Sequence, residues 1–299
     1  MSNYSIKDLE EYFSVYRKSV NEPEAFWEDI AENNFVWKKR WEKVLEWDFK
    51  KPEVKWFDGA QLNITENCID RHLAEKGEQT ALLFEPNNPD EEAQHITYNE
   101  LHKRVNQLAN VLKAQGIKKG DRICIYLPMI PELTISLLSC ARIGAIHSVV
   151  FAGFSASALA SRINDSKCKM IITSDGANRG AKTIDLKGIV DEALVECNSV
   201  ENVLVVKRIN TEINMQPQRD KWLQPLIEDA STKCEAEIME AEDPLFILYT
   251  SGSTGNPKGM VHTCAGYMVY TAYTFKNIFK YEKDDVYWCT ADIGWITGH

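Results

Sequence analysis

Between Thr97 and Val206 the apolar positions switch repeatedly between two periods. Leu101, Val105, Leu108, Val111 and Leu112 recur at helical spacing between Thr97-Tyr-Asn-Glu100, a capping-box sequence, and Gly116. That stretch is predicted to be an amphipathic helix. Arg122 to Leu127 is an apolar run closed by Pro128 and reads as a strand, while Glu132 to Ile143 returns to helical spacing as far as Gly144. The pattern continues with a strand at Ile146–Phe151, a helix at Ser157–Asp165 capped by Ser155 or Ser157, and a strand at Met170–Thr173. A helix at Leu186–Glu196 and a strand at Val203–Val206 follow. Strands and helices alternating every 25 residues or so predict an α/β fold, a mostly parallel sheet covered by helices, with sites where strands end and loops begin.

The flanks are less regular. Residues 1–60 carry Trp27, Trp37, Trp41, Trp47 and Trp56 in short helical patterns without a repeat; they read as an extension packing its aromatics onto a larger body. Asn87–Gln94 and the charged, weakly periodic Asn210–Glu240 are expected to be solvated surface connections.

Composition narrows the function classes. The 299 residues fit about two domains. The net charge of −10 repels phosphate backbones, which disfavours nucleic acid as a partner and requires any anionic ligand to be held by local groups. Eight cysteines without a C-x-x-C pair disfavour a disulfide or zinc framework. The N-terminus has no signal-peptide pattern, and the apolar run 143–154 is too short to span a bilayer and contains His147. A soluble, cytoplasmic protein with no membrane partner is expected.

After Asp243-Pro244 an apolar strand, Leu245–Tyr249, runs into Thr250-Ser-Gly-Ser-Thr-Gly-Asn-Pro-Lys-Gly259, where three glycines and four hydroxyl residues share ten positions. Glycine lets backbone amides approach an anion, the hydroxyls donate further hydrogen bonds, and Lys258 adds a mobile positive charge. A flexible linker is the alternative, but linkers rarely follow a buried strand directly. The loop is not a Walker P-loop, since Pro257 stands where G-x-x-x-x-G-K-[ST] needs glycine.

Tyr249-Thr-Ser-Gly-Ser-Thr-Gly-Asn-Pro-Lys-Gly-Met260 resembles the phosphate loop of the adenylate-forming family of acyl-CoA synthetases, luciferases and peptide-synthetase adenylation domains. Lys55–Asn63 with Asn67–His72, Val149-Val-Phe-Ala-Gly-Phe-Ser155 and Asp292-Ile-Gly-Trp-Ile-Thr-Gly-His299 narrow the resemblance to the acetyl-CoA synthetase branch. It implies activation of acetate by ATP to acetyl-AMP and pyrophosphate, then transfer to coenzyme A, with Mg²⁺ accompanying ATP. A propionate-type ligase and a non-catalytic nucleotide- or CoA-binding truncation remain the alternatives.

The same resemblance implies roles for individual residues. Thr250, Ser251, Gly252, Ser253, Thr254, Gly255 and Lys258 would bind the ATP phosphates. Arg179, Gly180, Ala181, Lys182 and Thr297 would bind coenzyme A, and Trp295, Ile296 and Thr297 would line the acyl pocket on a strand. Family members commonly carry Arg, two small residues ending in Gly, and then Arg or Lys there; this chain keeps both cations, adds a methyl group at Ala181, and offers at Lys182 a point charge in place of a guanidinium fork. No catalytic residue beyond the phosphate loop and no metal ligand is expected within the chain. His262 and His299 are tempting bases, yet a carboxylate nucleophile needs none, and His262 reads as structural. The implied organisation is an N-terminal extension, 1–90, followed by part of the adenylation domain, 91–299. The family's Mg²⁺-reaching Glu, ribose-binding Asp, hinge and small C-terminal domain with its catalytic Lys would lie beyond His299.

Overall fold

The computed structural model describes residues 4–252 and 255–299. Two compact units divide them.

The larger unit, residues 68–237, 245–261 and 289–299, is built on a seven-stranded sheet. Its strands are β1 (Arg122–Tyr126), β2 (Ile146–Val149), β3 (Met170–Ser174), β4 (Asn202–Val206), β5 (Asp220–Trp222), β6 (Pro244–Thr250) and β7 (Lys258–Thr263). The spatial order is β5-β4-β3-β1-β2-β6-β7. Neighbours from β5 to β6 pair in parallel, with Cys124 opposite Ile171 and Ile123 opposite His147. Only seven residues join β6 to β7, too few for a parallel crossover, so this last pair turns back as a hairpin.

The helices longer than a single turn are α1 (Tyr98–Ala114), α2 (Pro131–Arg142), α3 (Ala156–Ser166), α4 (Leu186–Leu194) and α5 (Leu223–Glu228). Thr97 caps α1, its hydroxyl accepting from the Glu100 backbone N–H at 3.1 Å, while the Glu100 carboxylate pairs with Arg104. Ser155 is the N-cap of α3. Strand side chains alternate between faces. Cys124, Tyr126, Ile171, Val203 and Val205 pack with Leu159 and Ile163 of α3 and Leu186 and Val190 of α4. The interleaved Ile123, Ile125, Ile172 and Leu204 are equally buried; α2 lies against β1 and β2, and α5 against β4. The α/β class and its covered parallel sheet are as the periodicity predicts.

Three segments differ from expectation. Asn210–Glu240 is not merely a surface connection, because it supplies the edge strand β5 and the helix α5. Buried polar side chains of α1 hold it: Gln107 donates to the Ile227 carbonyl at 2.8 Å and Asn106 to that of Thr232 at 3.0 Å. Asp220 of β5 is buried because the fully buried Lys187 ammonium meets it at 2.8 Å. Residues 177–184, for which the periodicity predicts no element, form a hairpin in which Ala177–Arg179 pairs with Lys182–Ile184. The strand expected across Asp292–His299 is instead a run of turns, in which the N–H groups of Trp295 and Gly298 bond to the carbonyls of Asp292 and Trp295 at 3.0 and 2.9 Å. A strand requires a paired neighbour, and no described segment pairs there.

The smaller unit comprises residues 4–67, 238–244 and 262–288. It contains helices Leu9–Asn21, Pro23–Asn34 and Cys264–Ile278 and the antiparallel pair Lys43–Asp48 and Glu53–Asp58. Trp27 packs its ring on those of Trp56 and Tyr273, and Trp37 on Trp41 and Phe57. Four of the five tryptophans therefore pack on other rings of this same unit, while Trp47 is 62% exposed. No helix of the described residues is long and apolar enough to cross a membrane.

Candidate functional site

In a parallel sheet the C-terminal strand ends share one edge, and ligands bind beyond it where the chain reverses its direction across the sheet. Here that reversal falls at β1, which the chain crosses in passing from β2 to β3. Beyond this edge lies a cavity of about 300 Å³, lined by residues that follow the strands: Pro128 after β1, Phe151 and Gly153 after β2, Arg179 after β3 and Arg208 after β4. Phe84 and Asp292 close it.

Arg179 is the predicted site residue that reaches this cavity, its guanidinium 5.8 Å from the centroid of the Phe151 ring. Gly180, Ala181 and Lys182 lie exposed at the hairpin tip. Gly180 has φ +59°, the left-handed conformation that a two-residue hairpin turn demands. Register then sets Lys182 directly opposite Arg179. Two like charges facing each other across a turn are unfavourable unless an anion lies between them.

Asp175, fully buried after β3, holds this region to the end of β4. Its Oδ1 accepts from the backbone N–H groups of Gly176, Arg208 and Ile209 at 2.9, 2.8 and 3.1 Å. Neither Asp175 nor Arg208 stood out in the sequence. The available signal was position, since both directly follow apolar strand runs.

The glycine-rich loop leaves the C-terminal end of β6, on the same edge. Thr250, Ser251 and Lys258 are exposed, and Lys258 opens β7. Gly252 has φ +48°, and a Cβ there would stand 2.2 Å from the Asn256 carbonyl oxygen, so the loop folds back tightly on this residue. Gly255 has φ +87° and donates its N–H to the Gly252 carbonyl at 3.3 Å. Ser253 and Thr254, also predicted here, lie outside the described residues.

Trp295, Ile296 and Thr297 are exposed on the closing turns. Trp295 packs on Phe151 at a centroid distance of 5.1 Å, which brings this segment to the cavity wall, and neither Ile296 nor Thr297 lines the cavity. Asp292 does, and its burial raises its carboxyl above the usual range.

His299 is engaged rather than poised as a base. Its Nδ1 lies 3.2 Å from the Ile293 carbonyl and its Nε2 3.0 Å from Nε2 of the buried His147. A carbonyl only accepts, so this contact places a proton on Nδ1 of His299. Burial, followed by the neighbouring His299, holds His147 well below its ordinary pKa. His262 is lowered by burial alone.

The sequence pattern of the AMP-binding enzymes matches residues 69–299, and that of the acetyl-coenzyme A synthetase N-terminus matches residues 12–68. The chain is 51% identical over 290 residues to an acetyl-coenzyme A synthetase of Magnetococcus marinus, covering 97% of this chain and 45% of that protein. It is 53% identical to acetyl-coenzyme A synthetase 2 of Pseudomonas putida, again over 97% and 45%. The solved structure of acetoacetyl-CoA synthetase from Streptomyces lividans superposes with a TM-score of 0.87 at 28% identity, over 95% of this chain and 43% of that one. The chain therefore spans a little under half the length of these relatives. With a family pattern matched along 231 of its 299 residues, from 69 to 299, the chain belongs to the AMP-binding enzymes.

Proposed function

We propose that this chain supplies the ATP-phosphate cradle and the coenzyme A cavity of an AMP-forming acetate–CoA ligase. The observation that carries the reading is the placement of a glycine- and hydroxyl-rich loop and an arginine-lined cavity on one C-terminal sheet edge. In the first half-reaction an acetate oxygen attacks the α-phosphorus of ATP, and pyrophosphate leaves. In the second, the CoA sulfur attacks the acetyl carbonyl, and AMP leaves.

Thr250, Ser251, Gly252, Ser253, Thr254, Gly255 and Lys258 hold the β- and γ-phosphates and spread the charge that builds on pyrophosphate. Arg179 takes a phosphate of CoA, with Gly180, Ala181, Lys182 and Thr297 around it. Trp295, Ile296 and Thr297 face the acyl side. Mg²⁺ would accompany ATP, although among the described residues no group of three or more Asp, Glu, His or Cys side chains could hold a metal ion. Residues 1–90 form the extension and 91–299 the adenylation part of a cytoplasmic enzyme.

The test uses protein expressed from its complete reading frame. Acetate should drive exchange of labelled pyrophosphate into ATP, and added CoA should release AMP; exchange driven by amino acids or long-chain acids but not by acetate would overturn the assignment. Arg179→Gln should weaken CoA binding by about tenfold, as expected for a charge-assisted contact, and Lys182→Gln by less, because Lys182 does not reach the cavity.

A further inference from the structure

Arg162 of α3 sits between two aromatic rings, its guanidinium carbon 4.6 Å from the Phe154 centroid and 5.6 Å from that of Tyr249. Its Nη1 donates to the Ala158 carbonyl at 2.7 Å, and no carboxylate pairs with it among the described residues. An arginine without an anion, held between ring faces, acts through stacking and through its field on those rings.

Tyr249 is gripped at its other end as well. Its hydroxyl donates to Asp165, also on α3, at 2.6 Å. Burial first, and then this hydrogen bond to the neighbouring carboxylate, push the phenol above its ordinary range, so it remains a donor. Tyr249 is followed directly by Thr250, so α3 clamps the base of the phosphate loop at two points. On the other side of Arg162, Phe154 touches Phe151 at 5.6 Å and Trp295 at 6.2 Å, and Phe151 lies under Arg179 at 5.8 Å. Ring and cation contacts therefore run without a break from Tyr249 through Arg162, Phe154 and Phe151 to Arg179.

We propose that Arg162 is a positioning residue that holds Tyr249 and Phe154 together, fixing the base of the phosphate loop and the wall of the arginine-lined cavity in one arrangement. The inference rests on the function proposed above, in which the loop takes ATP and the cavity takes CoA. It makes Arg162, which touches neither ligand, matter to both.

Binding of ATP and of CoA is measured separately by calorimetry on protein from the complete reading frame. Lys258→Met should weaken ATP alone and Arg179→Met CoA alone, whereas Arg162→Met should raise both dissociation constants about three- to tenfold, the range of a partly desolvated cation–π contact. An Arg162→Met protein that binds both ligands as tightly as the parent, or loses only one, overturns the proposal. If that variant melts at a lower temperature, Arg162→Lys, which keeps the charge without the flat guanidinium, must show the same paired loss at the parent's melting temperature, or the idea falls. Silence of both Lys258→Met and Arg179→Met would instead overturn the ligand assignment, and this inference with it.

Discussion

At the scale of single residues, Gly252 and Gly255 of the phosphate loop are not equivalent. Gly252 combines a left-handed backbone with an approach that leaves a Cβ only 2.2 Å from the Asn256 carbonyl oxygen, whereas Gly255 has open space where its Cβ would stand. Gly255→Ala therefore meets backbone strain alone, about 1 kcal/mol, while Gly252→Ala must open the turn. Calorimetric titration with ATP should show a loss of tenfold or more for Gly252→Ala and a clearly smaller one for Gly255→Ala. His147 makes a second prediction. Buried beside His299 and stacked on Phe246, it is held well below its ordinary value in the fold, so between that depressed value and about 6.5 the unfolded chain binds a proton that the native one does not. Its contribution to stability is complete above about pH 6.5 and is lost as the pH falls, with a slope of up to about 1.4 kcal/mol per pH unit. His102 and His262 are lowered by burial too and share that sign, so the diagnostic is a difference: urea titrations from pH 8 to 5 should be flatter for His147→Gln than for the parent.

Among the elements, α3 carries the most functional weight and also a correctable strain. It begins at the Ser155 cap, presents Arg162 and Asp165 to Tyr249, and ends at Lys167, which is left-handed at φ +52°. Helices normally end this way on glycine, and a Cβ in that conformation is unfavourable. Lys167→Gly should raise the unfolding free energy by about 0.5–1 kcal/mol without altering ATP binding; no gain in a denaturant titration would show that Lys167 makes a compensating contact. The extent to which such elements can be read from sequence follows from their length. Helix α1 and strands β1, β3 and β4 are long enough for a period to show, and Thr97 and Ser155 announce their helices. Strand β5 and the hairpin 177–184 have three-residue strands, in which no period can develop, and α5 adds only six residues. What fixes β5 and α5 comes from elsewhere in the chain, from Lys187, Asn106 and Gln107. The site divides in the same way. The phosphate loop is legible because ten consecutive residues hold its chemistry. The cavity is not, because Phe84, Pro128, Phe151, Arg179, Arg208 and Asp292 come from six separate segments that only the strand order brings together.

For the 299-residue chain as a whole, a net charge of −10 sets the long-range field against both proposed ligands, each of which carries several negative charges. Attraction is confined to a few groups: Lys258 and backbone amides at the loop, and Arg179 and Arg208 at the cavity. These act over a few ångströms, whereas the repulsive field reaches a Debye length, about 30 Å at 0.01 M salt and about 8 Å at 0.15 M. Salt in this range therefore removes more of the repulsion that an approaching anion meets than of the contacts it makes once seated. Association should accelerate as salt is added, the opposite of a basic protein that gathers phosphate by steering. Stopped-flow association of a fluorescent CoA analogue, measured from 0.01 to 0.15 M salt, tests this directly. A rate that falls with salt would mean that a local positive field around Arg179, Lys182 and Arg208 outweighs the acidic remainder, and Lys182, which the cavity does not use as a contact, would then have its role in capture.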